Sequence, residues 1–213
     1  MHAESVILDI DGTLWDSRQL LAQAYNDQLK EDGVSGYHIT ASRLRSLFGT
    51  PVTEMNDILF PELPLPVRRH LLDGWLKKTD EYLDKFGGAE IAYPNIRITV
   101  EALAKNHRVF IVSNGHATYP DLCARKLGFD HCLSGSLTFG ETGLPKGQTI
   151  LQLMEREKIT SAAYVGDTQG DLIACRTAGI PFIWASYGFG TPEACDEKIL
   201  DFTELLTLFK EDL

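Results

Sequence analysis

VILDIDGTL, residues 6–14, decides how the rest of the chain is read. Val6-Ile7-Leu8 shows no polar alternation, and two acids two positions apart, Asp9 and Asp11, bring the run to an end. A short strand that is apolar on both sides is buried on both faces, as in a parallel sheet covered by helices. Three further runs follow the same grammar. Val109-Phe110-Ile111-Val112 leads into Ser113-Asn114-Gly115, Ala162-Ala163-Tyr164-Val165 into Gly166-Asp167, and Ile180-Pro181-Phe182-Ile183-Trp184 into Ala185-Ser186. Helical patterns lie at 96–105, 119–127, 147–158 and 168–178, with Gly128 and Gly179 placed where helices end in glycine. Strands alternating with helices predict right-handed crossovers and an open, mostly parallel α/β sheet.

Residues 16–92 break that rhythm, with helical patterns at 16–30, 40–48, 52–59 and 66–86 and no convincing strand among them. Thr40 is placed to cap a helix, Pro66 to open one, and Gly87-Gly88 to stop and hinge the chain. The later helices already suffice to cover the sheet. The expected organisation is therefore a core formed by 1–15 and 93–213 and an inserted helical cap domain formed by 16–92. Residues 202–213 read as a terminal amphipathic helix carrying Leu205, Leu206, Leu208 and Phe209.

The 213 residues are 44% hydrophobic and 23% charged, ordinary for a globule with a core, and the apolar runs are too short to span a membrane. Twenty Lys and Arg against thirty Asp and Glu leave a formal charge of −10, which argues against nucleic acid or anionic membrane as general partners. Met1-His2-Ala3-Glu4 runs directly into a strand with neither the basic nor the apolar region of a signal peptide. Cys123, Cys132, Cys175 and Cys195 are scattered, without a CxxC pair, and read as reduced thiols of a cytoplasmic protein.

Ligands of open α/β sheets sit beyond the carboxyl ends of the strands, where strand order reverses. The polar residues at those ends are Asp9, Asp11, Ser113, Asn114, Asp167 and Asp171, joined by Lys146 at a helix start. Asp9 and Asp11 share one side of an extended chain, with Ile10 on the other. Singly these residues have ordinary uses: loop acids cap helices, first-turn acids complement the helix dipole, and lysines are mostly solvated. Together, three or four carboxylates converging on one crevice repel by several kcal/mol per pair at an effective dielectric of about 20, so a positive partner is required. An oxygen-only set fits Mg²⁺, while Ser113, neighbouring amides and Lys146 supply what a dianionic phosphate needs.

Asp9-Ile10-Asp11-Gly12-Thr13, Ser113, Lys146 and Gly166-Asp167-Thr168-Gln169-Gly170-Asp171 resemble, in order and context, the four motifs of the haloacid dehalogenase superfamily. The insert after the first motif resembles the helical cap of the phosphoglycolate phosphatase and β-phosphoglucomutase branch. The resemblance implies a doubly wound, mostly parallel Rossmann-like α/β core and a Mg²⁺-dependent phosphatase acting on a small phosphorylated metabolite. It implies that Asp9 attacks phosphorus to form an aspartyl-phosphate. Asp11 then protonates the leaving alcohol and later deprotonates water. Ser113 and the Asn114 amide hold phosphoryl oxygens, and Lys146 steadies nucleophile and phosphate. The metal falls to Asp9, the Asp11 backbone carbonyl and Asp167, with Asp171 bound through water or orienting the others.

Asp11 argues against the dehalogenase, transport-ATPase and phosphonate-cleaving branches, which lack an acid at that position. A phosphosugar mutase shares both aspartates and is the near rival; it would need cap cations for a second phosphate, with Arg43 and Arg45 as candidates. A phospho-accepting signalling module and a non-catalytic binding protein are the distant ones. Specificity is expected from the cap turn Phe48-Gly49-Thr50-Pro51, with Thr50 as a polar contact, and from His116 at the entrance; Trp15 is expected to pack. The leaving alcohol is open among phosphoglycolate, a sugar phosphate, a nucleotide and pyrophosphate. The chain is expected to be a monomer or a homodimer.

Overall fold

The computed structural model describes residues 2–210. Six parallel strands form one sheet in the order β3-β2-β1-β4-β5-β6. They are β1 (Ser5–Leu8), β2 (Arg108–Ser113), β3 (Leu133–Thr138), β4 (Ala162–Gly166), β5 (Phe182–Ala185) and β6 (Glu197–Ile199). The chain leaves the central β1 for β2 and β3 on one side, then returns to β4 on the other, so strand order reverses beside β1. Leu8 aligns with both Ile111 of β2 and Val165 of β4, which brings the ends of three strands to one level.

Period-two alternation divides the strands between two apolar layers. Val6, Leu8, Val109, Ile111, Ala163 and Val165 face one layer; Ile7, Phe110, Val112, Ala162 and Tyr164 face the other. Helices α8 (Lys146–Glu157) and α9 (Gln169–Ala178) close the second layer with Ile150, Leu153, Leu172 and Cys175. The first is covered by α5 (Ile96–Leu103), α6 (Tyr119–Leu127) and α10 (Leu205–Leu208). A short helix, α7 (Phe139–Thr142), joins β3 to α8.

Between β1 and α5 the chain builds four helices: α1 (Arg18–Glu31), α2 (Ala41–Arg45), α3 (Val52–Leu59) and α4 (Leu65–Phe86). Thr40 caps α2 by accepting from the Arg43 amide at 3.1 Å, and Pro66 lies in the first turn of α4. Tyr25 of α1 stacks on Trp75 of α4 with ring centroids 4.0 Å apart. Their apolar side chains continue the first layer without a break. Among the described residues no helix is long and apolar enough to cross a membrane.

Two edge strands, β3 and β6, escape the apolar-run reading. Their sequences, LSGSLT and EKI, are half-solvated at the sheet margins and lack the continuous apolar run of a strand buried on both faces. The terminal helix expected over 202–213 is a correction: a 3-10 turn at Phe202–Glu204 leads into α10, which ends at Leu208. Phe202, Leu205 and Phe209 anchor this tail by burial, so packing rather than helix length holds it; 211–213 lie outside the described residues.

Candidate active site

The first motif turns where Gly12 adopts φ +85°, a conformation that side chains resist. A Cβ there would also stand 2.2 Å from Asp167 Oδ2, so glycine is required twice over. The Asp9 amide donates to the Val165 carbonyl at 2.9 Å, which fixes the acid at the point where β1 ends beside β4. Ser113 is the last residue of β2 and Lys146 the first of α8. Asp167 follows β4, and Asp171 sits in the first turn of α9, in a reciprocal capping box with Thr168.

All of these residues converge. Lys146 Nζ lies 2.9 Å from Asp9 Oδ1 and 2.7 Å from Asp171 Oδ1, almost wholly out of solvent. Burial alone would lower the lysine's pKa; the carboxylates of Asp171 and Asp9 outweigh it and hold the ammonium above the ordinary lysine range. Asp171 is pulled below the usual carboxylate range, because Lys146 and the donors of Thr168 overcome its burial. Both of its oxygens are occupied: Oδ1 by Lys146, and Oδ2 by the Thr168 amide at 2.9 Å and the Thr168 hydroxyl at 2.7 Å. Asp171 is thus placed to brace the lysine and the α9 start.

Asp9 and Asp167 are the electrostatically expensive members. Burial pushes Asp9 up to about 7, with Lys146 opposing and Asp171 reinforcing the shift. Burial, then Asp171 and Asp9, raise Asp167 well above its ordinary value. Asp167 Oδ2 accepts from the Phe189 amide at 2.6 Å, but its Oδ1 is buried without a partner. Oxygens of Asp9, Asp167 and Asp171 lie within 4.8 Å of one another. A buried, all-oxygen, net-negative group with an orphaned lone-pair atom fits a hard divalent cation.

The sign of the consequence follows from linkage. A carboxylate whose folded pKa is raised contributes stability that is complete below its unfolded pKa, near 3.8, and lost as pH rises through the folded value, about 7 for Asp9. In EDTA the melting temperature should therefore fall between pH 5.5 and 8, and millimolar Mg²⁺ should flatten that fall. At roughly 2–4 °C per kcal/mol for a chain of this size, differential scanning calorimetry resolves the change. A profile with the same slope in both buffers would contradict the arrangement.

Asp11 has a different environment, one the sequence did not reveal. Its Oδ1 accepts from Tyr119 Oη at 2.8 Å, from Trp15 Nε1 at 3.2 Å and from the Ser17 hydroxyl. Trp15 Nε1 also lies 3.2 Å from Tyr119 Oη, which ties the donors into one network. Trp15, expected only to pack, packs and also holds this acid. Burial pushes Asp11 up to about 6, against the opposing pull of the Ser17, Tyr119 and Trp15 donors. With Oδ1 saturated by donors, the protonated form carries its hydrogen on Oδ2. Tyr119 lies more than a hundred residues from Asp11, and no spacing rule links them.

Asp9, Asp11, Ser113, Asn114 and Lys146 line one cavity, which Thr50 and His116 also reach. The Asn114 side chain donates to the Gly49 carbonyl at 2.7 Å, joining the β2 loop to the turn after α2. His116 Nε2 is 3.1 Å from Asp80 of α4. Arg43 and Arg45, the candidate cap cations, do not line this cavity; Arg45 Nε donates to the Phe189 carbonyl at 2.9 Å.

The model of a family described as haloacid dehalogenase-like hydrolase matches residues 6–185. A phosphoglycolate phosphatase of Xanthomonas campestris is 28% identical over 191 residues, spanning 87% of this chain and 84% of that protein. The crystal structure of a predicted phosphoglycolate phosphatase from Haemophilus somnus superposes with a TM-score of 0.80 at 23% identity, covering 98% of each chain. CbbY from Rhodobacter sphaeroides, crystallised with xylulose-1,5-bisphosphate, gives 0.81 at 17% identity and covers 96% of each. At such identities the structural likeness speaks for the fold.

Proposed function

Because the chain belongs to the haloacid dehalogenase-like hydrolase family, we propose that it is a Mg²⁺-dependent phosphatase that cleaves a small phosphomonoester through an aspartyl-phosphate on Asp9. The observation that carries this reading is the buried group in which Lys146 joins Asp9 to Asp171 beside the unsatisfied Asp167. A lysine and three carboxylates sealed from water cost stability, and a binding site for charge is the use that repays it.

In the first step an Asp9 oxygen attacks phosphorus, the bond from phosphorus to the ester oxygen breaks, and the Asp11 proton passes to the departing alkoxide. In the second, Asp11 takes a proton from water, the water oxygen attacks phosphorus, and the bond to Asp9 breaks, restoring its carboxylate and releasing phosphate. Ser113 and the Asn114 amide hold phosphoryl oxygens throughout, and Lys146 supplies positive charge beside the nucleophile. The metal, held by Asp9, Asp167 and the Asp11 backbone carbonyl, would neutralise charge on the phosphoryl group. Asp171 holds Lys146 in place. Helices α1–α4, within residues 16–92, serve as a cap over a core of 1–15 and 93–213, and the Gly49 to Asn114 and Asp80 to His116 contacts support that role.

Phosphate release from acetyl phosphate and from small alkyl phosphates, with Mg²⁺ and with EDTA, tests the reading. Release that survives chelation, or none from any donor, overturns it.

Tyr119→Phe should separate the two chemical demands on Asp11. Losing one donor to a charged group costs about 1.5–3 kcal/mol, or roughly 10–100-fold in rate. Propyl phosphate, which needs its alkoxide protonated, should lose that much in kcat with little change in KM. Acetyl phosphate, whose leaving group departs unprotonated, should lose far less. Equal losses on both would show that Tyr119 acts through packing alone.

A further inference from the structure

We infer that the alcohol released by this enzyme is small, uncharged and largely apolar, with one neutral hydrogen-bonding group. The inference rests on the phosphatase reading and names its substrate class. Past the phosphate-handling residues, the cavity wall is made by Leu21, Val52, Met55, Trp75 and Leu76. Among the described residues, Lys146 is the one lysine or arginine that lines it, and that ammonium is committed to Asp9 and Asp171.

The remaining cationic candidate is His116, and it is also committed. Nε2 faces Asp80 at 3.1 Å and Nδ1 lies 3.1 Å from Thr118 Oγ1. If His116 carries a charge, Asp80 cancels it; if not, Asp80 adds negative potential at the entrance. A carboxylate or a second phosphate on the alcohol would thus be stripped of water against an apolar wall without a free counter-charge. The desolvation of an unpaired anion costs several kcal/mol, and every 1.4 kcal/mol is tenfold in affinity. Phosphoglycolate and bisphosphorylated sugars, the ligands named for the relatives, both present such a charge.

Three buried polar atoms of the lining have no hydrogen-bond partner: Asn114 Oδ1 and His116 Nε2 in the loop after Ser113, and Thr79 Oγ1 among the apolar side chains. Thr79 lies on α4 beside Leu76, is 3% exposed, and its Oγ1 is buried without a hydrogen bond. A hydroxyl so placed is left for a neutral donor or acceptor on the alcohol. Size points the same way. The cavity holds about 60 Å³, about two waters at roughly 30 Å³ each, so few heavy atoms fit beyond the phosphoryl group.

The test compares close isosteres. With Mg²⁺ present, kcat/KM on the phosphate ester of glycolamide and on propyl phosphate should exceed that on 2-phosphoglycolate at least tenfold. Equal or better turnover of 2-phosphoglycolate overturns the inference. Calorimetric titration of the Asp9→Asn protein with the same three esters separates this from the phosphatase reading, since binding needs no turnover. Tighter binding of the amide without hydrolysis by the wild type would spare the substrate class and sink the chemistry. Tighter or equal binding of 2-phosphoglycolate, or binding of none of the three, overturns the class. Leu76→Arg, which brings a cation to the wall, should move preference toward 2-phosphoglycolate by a factor of ten or more; if that variant fails to fold, the wild-type comparison still decides.

Discussion

Asp9→Asn should abolish turnover, by about 10⁴-fold or more, in a protein that folds at least as well as the wild type. The size follows from the chemistry: an amide oxygen is a poor nucleophile toward phosphorus, and losing the attacking group of a covalent mechanism removes both half-reactions together. The stability expectation follows from charge. Asp9 is 7% exposed and pushed up to about 7, so at pH 8 its ionised form is held against its burial and against Asp171. Asparagine keeps the shape and removes that charge, while Lys146 retains Asp171 at 2.7 Å. In EDTA at pH 8 the melting temperature should hold or rise, and the fall between pH 5.5 and 8 should shrink. Acid quenching during turnover, followed by mass spectrometry of the peptide containing Asp9, should find a phosphoryl adduct in the wild type and none in the variant. Residual activity within tenfold of wild type would assign the nucleophile elsewhere. A dead but more stable variant is the behaviour of a site that holds strain for function.

Why some of this was legible beforehand, and some not, comes down to range. Val6-Ile7-Leu8 and Ala162 to Val165 advertise central strands because burial on both faces demands unbroken apolar residues. The edge strands, half-wet, admit Ser, Gly, Glu and Lys and so carry no such mark. The carboxylates and Lys146 stand out because each interrupts an apolar run or opens a helix at a place the topology reserves for ligands. Tyr119 and Ser17 carry no comparable signal. Tyr119 occupies an apolar position of α6, and its hydroxyl reaches Asp11 only because α6 packs on β2 and β3 and β2 pairs with β1 in the sheet. Arg45 was readable as a cation for substrate, yet its guanidinium is spent on the Phe189 carbonyl. Which way a surface helix turns its charges is a tertiary fact. The character of the alcohol pocket, likewise, arises from α1, α3 and α4 meeting, and no single segment states it.

Lys146→Met should be the most damaging single change to fold and chemistry together. The ammonium is enclosed by Asp9 at 2.9 Å and Asp171 at 2.7 Å, with the Tyr164 ring 5.6 Å away. Removing one partner of a buried ionic group leaves the other without compensation, at a cost of about 3–5 kcal/mol. For a chain of this length that is a drop of roughly 6–20 °C in melting temperature. The loss should depend on pH in a stated direction. Without the lysine, the folded pKa of Asp9 rises further and that of Asp171 is no longer held down, so the penalty is greatest above pH 7 and shrinks toward pH 5.5, where protonation of Asp9 relieves the repulsion. Mg²⁺ should restore part of the stability, because it supplies charge to the same carboxylates. It should not restore turnover, expected to fall about 10³-fold, because the cation beside the nucleophile must act at a fixed position. Lys146→Arg should fare little better than methionine: Nζ bridges Asp9 and Asp171 as a compact ammonium, and a planar fork has different reach and donors. If Lys146→Met melted within 2 °C of the wild type at pH 8 in EDTA, an estimate well below the range above, the ammonium would not be what holds the acids together.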